Sequence, residues 1–194
     1  MKFKLVTQAP ALTETACVVL PVYEDAGLTP AGEGLDKVTE SLLSQTLTSG
    51  DFKAQLGKTF LIPFALGSQA QRILLVGMGK QEELTPAKFA KAANAAFAQL
   101  KELNLHEALL VLAEASIKNT NTSWKLSQLA ELALTSLYTF NEFKTTPQPE
   151  VALAELGVYW PDNQDSSEGE QALQLGQAIG EGKNLARNLG NRPG

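Results

Sequence analysis

The stretch Arg72-Ile-Leu-Leu-Val-Gly-Met-Gly-Lys80 sets the narrowest limits on the fold. Ile73 to Val76 is an unbroken apolar run of side chains that favour extended backbone. So short a run, ended by Gly77 and Gly79, reads as a central strand buried on both faces, although periodicity alone also fits a buried helix segment. The glycines allow a tight exit, and Thr85-Pro86 then opens a strongly patterned helix. Strand, glycine turn and helix form the unit from which α/β domains are built. The rest of the chain is expected to place strands beside this one and helices on its faces.

Those elements are legible in order. Phe3–Thr7 alternates with Lys2 and Lys4 as a half-exposed strand does, and Ala16–Tyr23 reads as a more buried strand. Glu24–Gly34, with Gly27, Pro30, Gly32 and Gly34, is a loop by composition. Leu35, Val38, Leu42 and Thr46 keep helical spacing and predict one helix over Leu35–Leu47. Thr59–Ala65 is the next strand. The short link Leu66–Gln71 suits an antiparallel hairpin, so the sheet should be mixed. Pro86–Leu103 is a helix with Thr85 as N-cap, Pro86 in the first position and Asn104 as its stop. Ala108–Ala113 follows as a buried strand, reached by a right-handed crossover. A second helix covers Trp124–Asn141, capped by Thr122 or Ser123. The run 145–149 breaks the chain, Val151–Trp160 is a last strand, and Pro161–Ser166 is an acidic linker.

The final segment has a different character. Ser167 and Glu170 have capping-box spacing, and a helix follows to about Leu189. Ala172, Gly176 and Gly180 stand four apart and make a small-residue ridge. Each glycine costs about 1 kcal/mol against alanine, so a close neighbour is expected to compensate. Ser167–Leu189 is expected to be the most mobile or crystal-dependent helix, its ridge having lost that neighbour. The turn-like ending Asn191-Arg192-Pro193-Gly194 is read as a cut, with roughly three hundred further residues to come. The expected organisation is a domain over 1–165 and a connecting segment over 166–194.

With 194 residues, folding should bury on the order of 70% of the extended surface, so no disulfide or metal staple is required. Cys17, the only cysteine, lies in the apolar run Ala16–Leu20 and reads as a small buried hydrophobe. The N-terminus lacks the apolar core of a signal peptide, and no run of about 18 apolar residues occurs. A cytoplasmic location follows as the default, with no membrane partner. Net charge is −5, and the segment from Glu150 through Glu155, Asp162, Asp165, Glu168 to Glu170 contributes −6, leaving the remainder near +1. No basic stripe interleaved with aromatics exists, which disfavours nucleic acid as a partner.

Chemical motifs are conspicuously incomplete. Gly77-Met78-Gly79-Lys80 fails both phosphate-loop patterns, and Glu82 and Glu83 place negative charge where an anion would sit. His106 is the only histidine, too few for a His-based triad or metal cluster. Neighbours in sequence like Glu24-Asp25 and Glu82-Glu83 usually point apart and read as solvated loop charge, with a metal or acid–base role as the minor alternative. Tyr159-Trp160 reads as core plus rim.

Three segments nevertheless carry a resemblance. Arg72–Lys80 followed by Leu84-Thr85 resembles the strand–turn–helix of the N-terminal domain of the leucine aminopeptidase (cytosol aminopeptidase) family. Tyr138-Thr-Phe-Asn-Glu-Phe-Lys144 is similar to that domain's Tyr-x-Phe-x-x-Tyr/Phe-Lys segment. Gly182-Lys-Asn-Leu-Ala-Arg187-Asn-Leu-Gly-Asn191-Arg-Pro193 resembles the Ala-Arg-x-Leu-x-Asn-x-Pro signature at the entry to the catalytic domain. The resemblance implies a mixed sheet sandwiched by helices, similar to a macro domain. It implies a whole protein that is a cytoplasmic, hexameric metallo-exopeptidase with two divalent metals, zinc or manganese. The family's metal motifs, similar to Asp-Ser-Gly-Gly and Asn-Thr-Asp-Ala-Glu-Gly-Arg, do not occur in this sequence. No catalytic, cofactor-binding or metal-ligating residue is therefore carried over, and this chain is expected not to be an enzyme itself. Its expected partners are its own catalytic domain and neighbouring subunits of a homohexamer. The alternatives are a macro-like module binding an ADP-ribose-type ligand at Gly27–Gly34, and a DNA-contacting domain.

Overall fold

A computed structural model describes residues 1–142, 151–161 and 165–192. The central strand is where the apolar run places it. Strand β1 is Lys2–Val6, β2 Val18–Tyr23, β3 Gly27–Leu28, β4 Thr59–Ile62, β5 Ile73–Gly77, β6 Glu107–Leu110 and β7 Glu155–Tyr159. The helices are α1 Pro30–Val38, α2 Leu42–Thr48, α3 Pro86–Glu102, α4 Thr122–Ser136 and α5 Ser166–Asn191. The sheet order is β1-β7-β6-β2-β5-β4, with β3 paired to the end of β2. β1, β7, β6, β2 and β5 pair in parallel, whereas β4 runs antiparallel to β5 through the expected hairpin. The sheet is mixed, as the hairpin requires.

Strand alternation explains why the sheet has helices on both sides. Val19, Leu74, Val76, Ala108 and Leu110 face a core closed by α3, α4 and α5. Their neighbours Val18, Leu20, Ile73, Leu75 and Leu109 face the opposite core, closed by α1 and α2. Successive side chains of a strand point to opposite faces, so a strand apolar at every position must be covered twice. β5 meets that condition at all its positions.

Several boundaries differ from expectation, each for a local reason. The expected loop Glu24–Gly34 contains β3 and the first half of α1, because Thr29-Pro30 starts a helix despite Gly32 and Gly34. The single helix expected over Leu35–Leu47 is two. Glu40 and Ser41 have φ of 54° and 65°, and the Asp36 carboxylate accepts from Leu43 N at 2.8 Å and Ser44 N at 3.0 Å, so it caps α2. The strands expected over Thr59–Ala65, Ala108–Ala113 and Val151–Trp160 are shorter than that. After β6 the backbone winds into a single 3-10 turn, Leu112–Glu114. α4 is capped by Asn121, whose Oδ1 accepts from Trp124 N at 2.8 Å, not by Thr122 or Ser123. It also ends at Ser136 rather than Asn141. α5 is capped by Asp165, whose Oδ1 accepts from Ser167 N at 2.9 Å, in place of the Ser167–Glu170 box. The breaker at 145–149 lies outside the described residues. Thr85 caps α3 as read, accepting from Lys88 N at 3.3 Å.

Candidate functional site

The residues singled out for chemistry occupy three places. The first is the exit of β5. A Cβ at Gly77 would lie 2.6 Å from Ala54 C and O, because the segment 54–58 crosses there. Gly77 N donates to Lys58 O, and Gly57 N to Gly77 O, each at 2.8 Å. Gly79 has φ +72°, which only glycine adopts without strain. These glycines serve a backbone crossing. Three of the four acidic side chains nearby are engaged as well. Glu83 pairs with Lys88 at 3.0 Å, Glu82 with Lys118 at 3.1 Å, and Asp25 Oδ1 accepts from Gln81 N at 2.9 Å. Cys17 is fully buried, and desolvation pushes its thiol up to about 12, far from a nucleophile's range. His106 stands exposed ahead of β6.

The second place is the seam between α4 and α5. Here the ridge finds its neighbour within the chain, on α4, which corrects the expectation that it had lost one. A Cβ at Gly176 would be 2.8 Å from Ser127 Cα, and one at Gly180 would be 2.9 Å from Leu134 Cδ1. Two of the quoted segments also converge at this seam. Tyr138 Oη donates to Asn188 Oδ1 at 2.6 Å, and the Arg187 guanidinium lies 5.5 Å from the Tyr138 ring centre. Asn184 Nδ2 donates to Leu134 O at 2.9 Å, and an Arg187 N–H donates to Thr135 O at 2.8 Å. Both bonds satisfy carbonyls that the last turn of α4 leaves without helical partners. Lys183 pairs with the buried Glu131.

The third place is a cleft of about 220 Å³ at the carboxyl ends of β6 and β7. It is lined by Pro30, Glu114, Thr122, Lys125, Tyr159 and Pro161, among others. Glu114 Oε2 accepts from Ala31 N at 3.1 Å, so the first turn of α1 already holds a carboxylate of this chain. Lys125 is only 8% exposed, and its Nζ donates to Ala115 O at 2.8 Å. Burial lowers the Lys125 pKa, and the Glu114 charge opposes that shift. Of the pair Tyr159-Trp160, the tyrosine edges this cleft and the tryptophan is buried. That is the core-plus-rim arrangement.

The described residues contain no group of three or more His, Cys, Asp or Glu side chains placed to hold a metal ion. No described helix is long and apolar enough to cross a membrane. The sequence profile of the cytosol aminopeptidase family's N-terminal domain matches residues 19–147. The chain belongs to the cytosol aminopeptidase family. A probable cytosol aminopeptidase of Chromohalobacter salexigens is 39% identical over the whole of this chain, which covers 38% of that protein. One from Nitrosospira multiformis is 36% identical over 98% of the chain, again spanning 38% of the relative. The chain is thus well under half the length of these relatives and corresponds to their N-terminal domain. A mutant of tomato leucine aminopeptidase superposes with a TM-score of 0.79 at 20% identity, covering 100% of this chain and 38% of that one, which shows a shared fold. The bottromycin maturation enzyme BotP in complex with Mn gives 0.66 at 25% identity, over 92% of this chain and 32% of that one.

In this family member the segment Gly182–Pro193, as far as it is described, acts as a clasp on α4. Glu114 and Lys125 belong to none of the quoted segments. The available signal for Lys125 was its spacing: it stands four residues before Leu129 on the buried stripe of α4, where a lysine is out of place.

Proposed function

We propose that this chain is the non-catalytic N-terminal part of a cytoplasmic leucyl aminopeptidase, a metallo-exopeptidase releasing N-terminal amino acids from peptides, and that its role is architectural. The observation that carries this reading is the length relation: the whole chain aligns with 38% of a cytosol aminopeptidase. The two divalent metals, manganese or zinc, then belong to the remaining part of such a protein, together with the residues that hold them.

Two exposed apolar surfaces support the architectural role. On α5, Leu175, Ile179, Leu185 and Leu189 are exposed, and at helical pitch they fall within an arc of about 120°. That arc points away from the face bearing Gly176 and Gly180. On the β4–β5 hairpin, Phe64 and Leu66 are 76% and 81% exposed. Exposed apolar groupings of this kind mark interaction surfaces. In this reading the α5 stripe receives the catalytic domain, and the hairpin tip meets a neighbouring subunit of the hexamer. The DNA-contacting alternative gains nothing from a net charge of −5.

The test has two parts. This chain, supplied with Mn²⁺ or Zn²⁺, is expected to show no turnover of leucine p-nitroanilide. Measurable metal-dependent hydrolysis would overturn the non-catalytic assignment. In the full-length protein, Leu175→Glu combined with Leu185→Glu is expected to lower both the hexamer fraction in sedimentation and the peptidase rate. A full-length protein indifferent to that double change would overturn the architectural one.

A further inference from the structure

We propose that the cleft at the carboxyl ends of β6 and β7 binds a small zwitterion, namely a free α-amino acid with an apolar side chain. The cleft lies where α/β sheets accept ligands. The chain leaving β2 turns through α1 and α2 toward β4 and β5 on one side of the sheet, whereas the chain leaving β6 turns through α4 toward β7 on the other. At such a switch point the two connections part and leave a crevice outside the strand ends. The residues that line it follow that rule: Pro30 begins α1, Glu114 follows β6, Thr122 and Lys125 form the first turn of α4, and Tyr159 ends β7.

The chemistry of the walls selects the ligand. Lys125, 8% exposed as a residue, carries an ammonium whose described partner is a single carbonyl, at 2.8 Å. An ammonium has three N–H donors, and burying it with one neutral acceptor is unfavourable until an anion joins it. The N-terminal turn of α4 lies beside it and also favours negative charge. Glu114, which also lines the cleft, carries the opposite charge, and its Oε2 accepts from Ala31 N. The two charged groups influence each other through space without a direct ion pair. A ligand with a carboxylate for Lys125 and an ammonium for Glu114 would join them. Pro30, Ala113, Tyr159 and Pro161 supply apolar contact for a side chain.

Size and charge argue against a nucleotide in the same place. At about 220 Å³ the cleft is smaller than the roughly 300–1,000 Å³ of sites for drug-sized ligands. The first turn of α1, the natural seat for a phosphate, holds Glu114 instead. The inference does not depend on the architectural reading, and either can fail alone.

The experiment titrates the chain with L-leucine and follows backbone amide NMR shifts. Isocaproate, which lacks the amine, and isoamylamine, which lacks the carboxylate, serve as single-charge controls. Leucine is expected to saturate at or below about 10 mM, with the largest shifts at Ala31, Ala115 and the first turn of α4. Each single-charge control is expected to bind at least about tenfold more weakly. Glu114→Gln keeps an oxygen for Ala31 N but loses the charge, and Lys125→Met keeps most of the apolar stem. Each is expected to weaken leucine about tenfold while retaining a dispersed spectrum. Should Lys125→Met fail to fold, the two controls and Glu114→Gln decide the matter. Absence of saturation with leucine, methionine and phenylalanine alike would overturn the proposal. So would isocaproate binding as well as leucine, shifts confined to another surface, or ADP-ribose displacing leucine from the cleft.

Discussion

Two glycines in this molecule meet a neighbouring backbone at almost the same separation, in surroundings that differ completely. At Gly77 the segment 54–58 crosses the end of β5, and Ala54 C and O would lie 2.6 Å from an added Cβ. At Gly176 helix α4 crosses α5, and Ser127 Cα would lie 2.8 Å away. Along β5 beside Gly77 the chain is apolar and buried: Leu74, Leu75, Val76 and Met78 are fully inaccessible, and Ala54 of the crossing segment is 1% exposed. Around Gly176 the contact is held by polar groups as well, among them Lys183 with Glu131 and Asn184 with Leu134 O. The outer face of the same helix leaves Leu175 and Ile179 in solvent. The sheet crossing is thus an interior joint, whereas the helix crossing has the character of a docked surface. A joint of the first kind fails globally and one of the second kind fails locally.

That contrast orders the expected effects. Gly77→Ala forces a rigid backbone crossing apart, since no flexible side chain can give way. A loss of more than about 4 kcal/mol is expected, enough to leave the chain unfolded by circular dichroism. Gly176→Ala gains about 1 kcal/mol of helix propensity but overpacks α5 on α4. The expected net loss is about 2 kcal/mol, visible in hydrogen exchange as faster opening of α5 while β2 and β5 stay protected. Equal exchange across the whole chain in Gly176→Ala would erase the distinction between the two crossings.

The same contrast explains what could be read from the residues alone. β5, β2 and α3 were legible because their signals are local: an apolar run, a glycine stop, and the Thr85-Pro86 start. The seam was half legible. The spacing of Ala172, Gly176 and Gly180 announced a close approach but not its partner, because α4 is contiguous with α5 only in space. The break at Glu40-Ser41 escaped notice, since Leu35 to Thr46 keeps helical spacing and the cap comes from Asp36, several residues earlier. Glu114 and Lys125 escaped for a related reason. Their sharing of one cleft depends on where β6 ends, and β6 stops at Leu110 rather than Ala113.

The dryness of the sheet can be tested by pH. Burial raises the Cys17 thiol from its ordinary 9.0 to about 12. Below pH 9 both folded and unfolded chains hold the proton, and the contribution is fully present. As pH rises from 9 toward 12, the unfolded chain releases the proton while the folded chain keeps it. Stability should therefore fall by up to about 1.4 kcal/mol per pH unit in that window. Tyr23, also raised by burial, adds its own loss at higher pH. The clean measurement is therefore the difference in urea midpoint between wild type and Cys17→Ala across about one pH unit above pH 9. Parallel pH curves for the two proteins would mean that water reaches Cys17 and that the core at the start of β2 is wetter than its packing indicates.

The smallest effect belongs to the clasp. Arg187 is exposed, donates to Thr135 O at 2.8 Å and stacks 5.5 Å from the Tyr138 ring centre. A solvent-screened bond to the end of α4 and a surface cation–π contact together contribute about 1 kcal/mol. Arg187→Ala is expected to cost about that much in urea denaturation, with hydrogen-exchange loss confined to residues near 134–138 and the last turns of α5. Arg187→Lys should recover the charge but less of the stacking, because an ammonium is a compact, strongly hydrated point charge rather than a planar fork. The discriminating outcome is the size of the alanine effect. A loss above about 3 kcal/mol would mean that the whole fold leans on this clasp, since effects that large come from buried networks rather than surface contacts. The α4–α5 seam would then be an interior joint like the one at Gly77, and the two crossings would differ only in which secondary structure makes them.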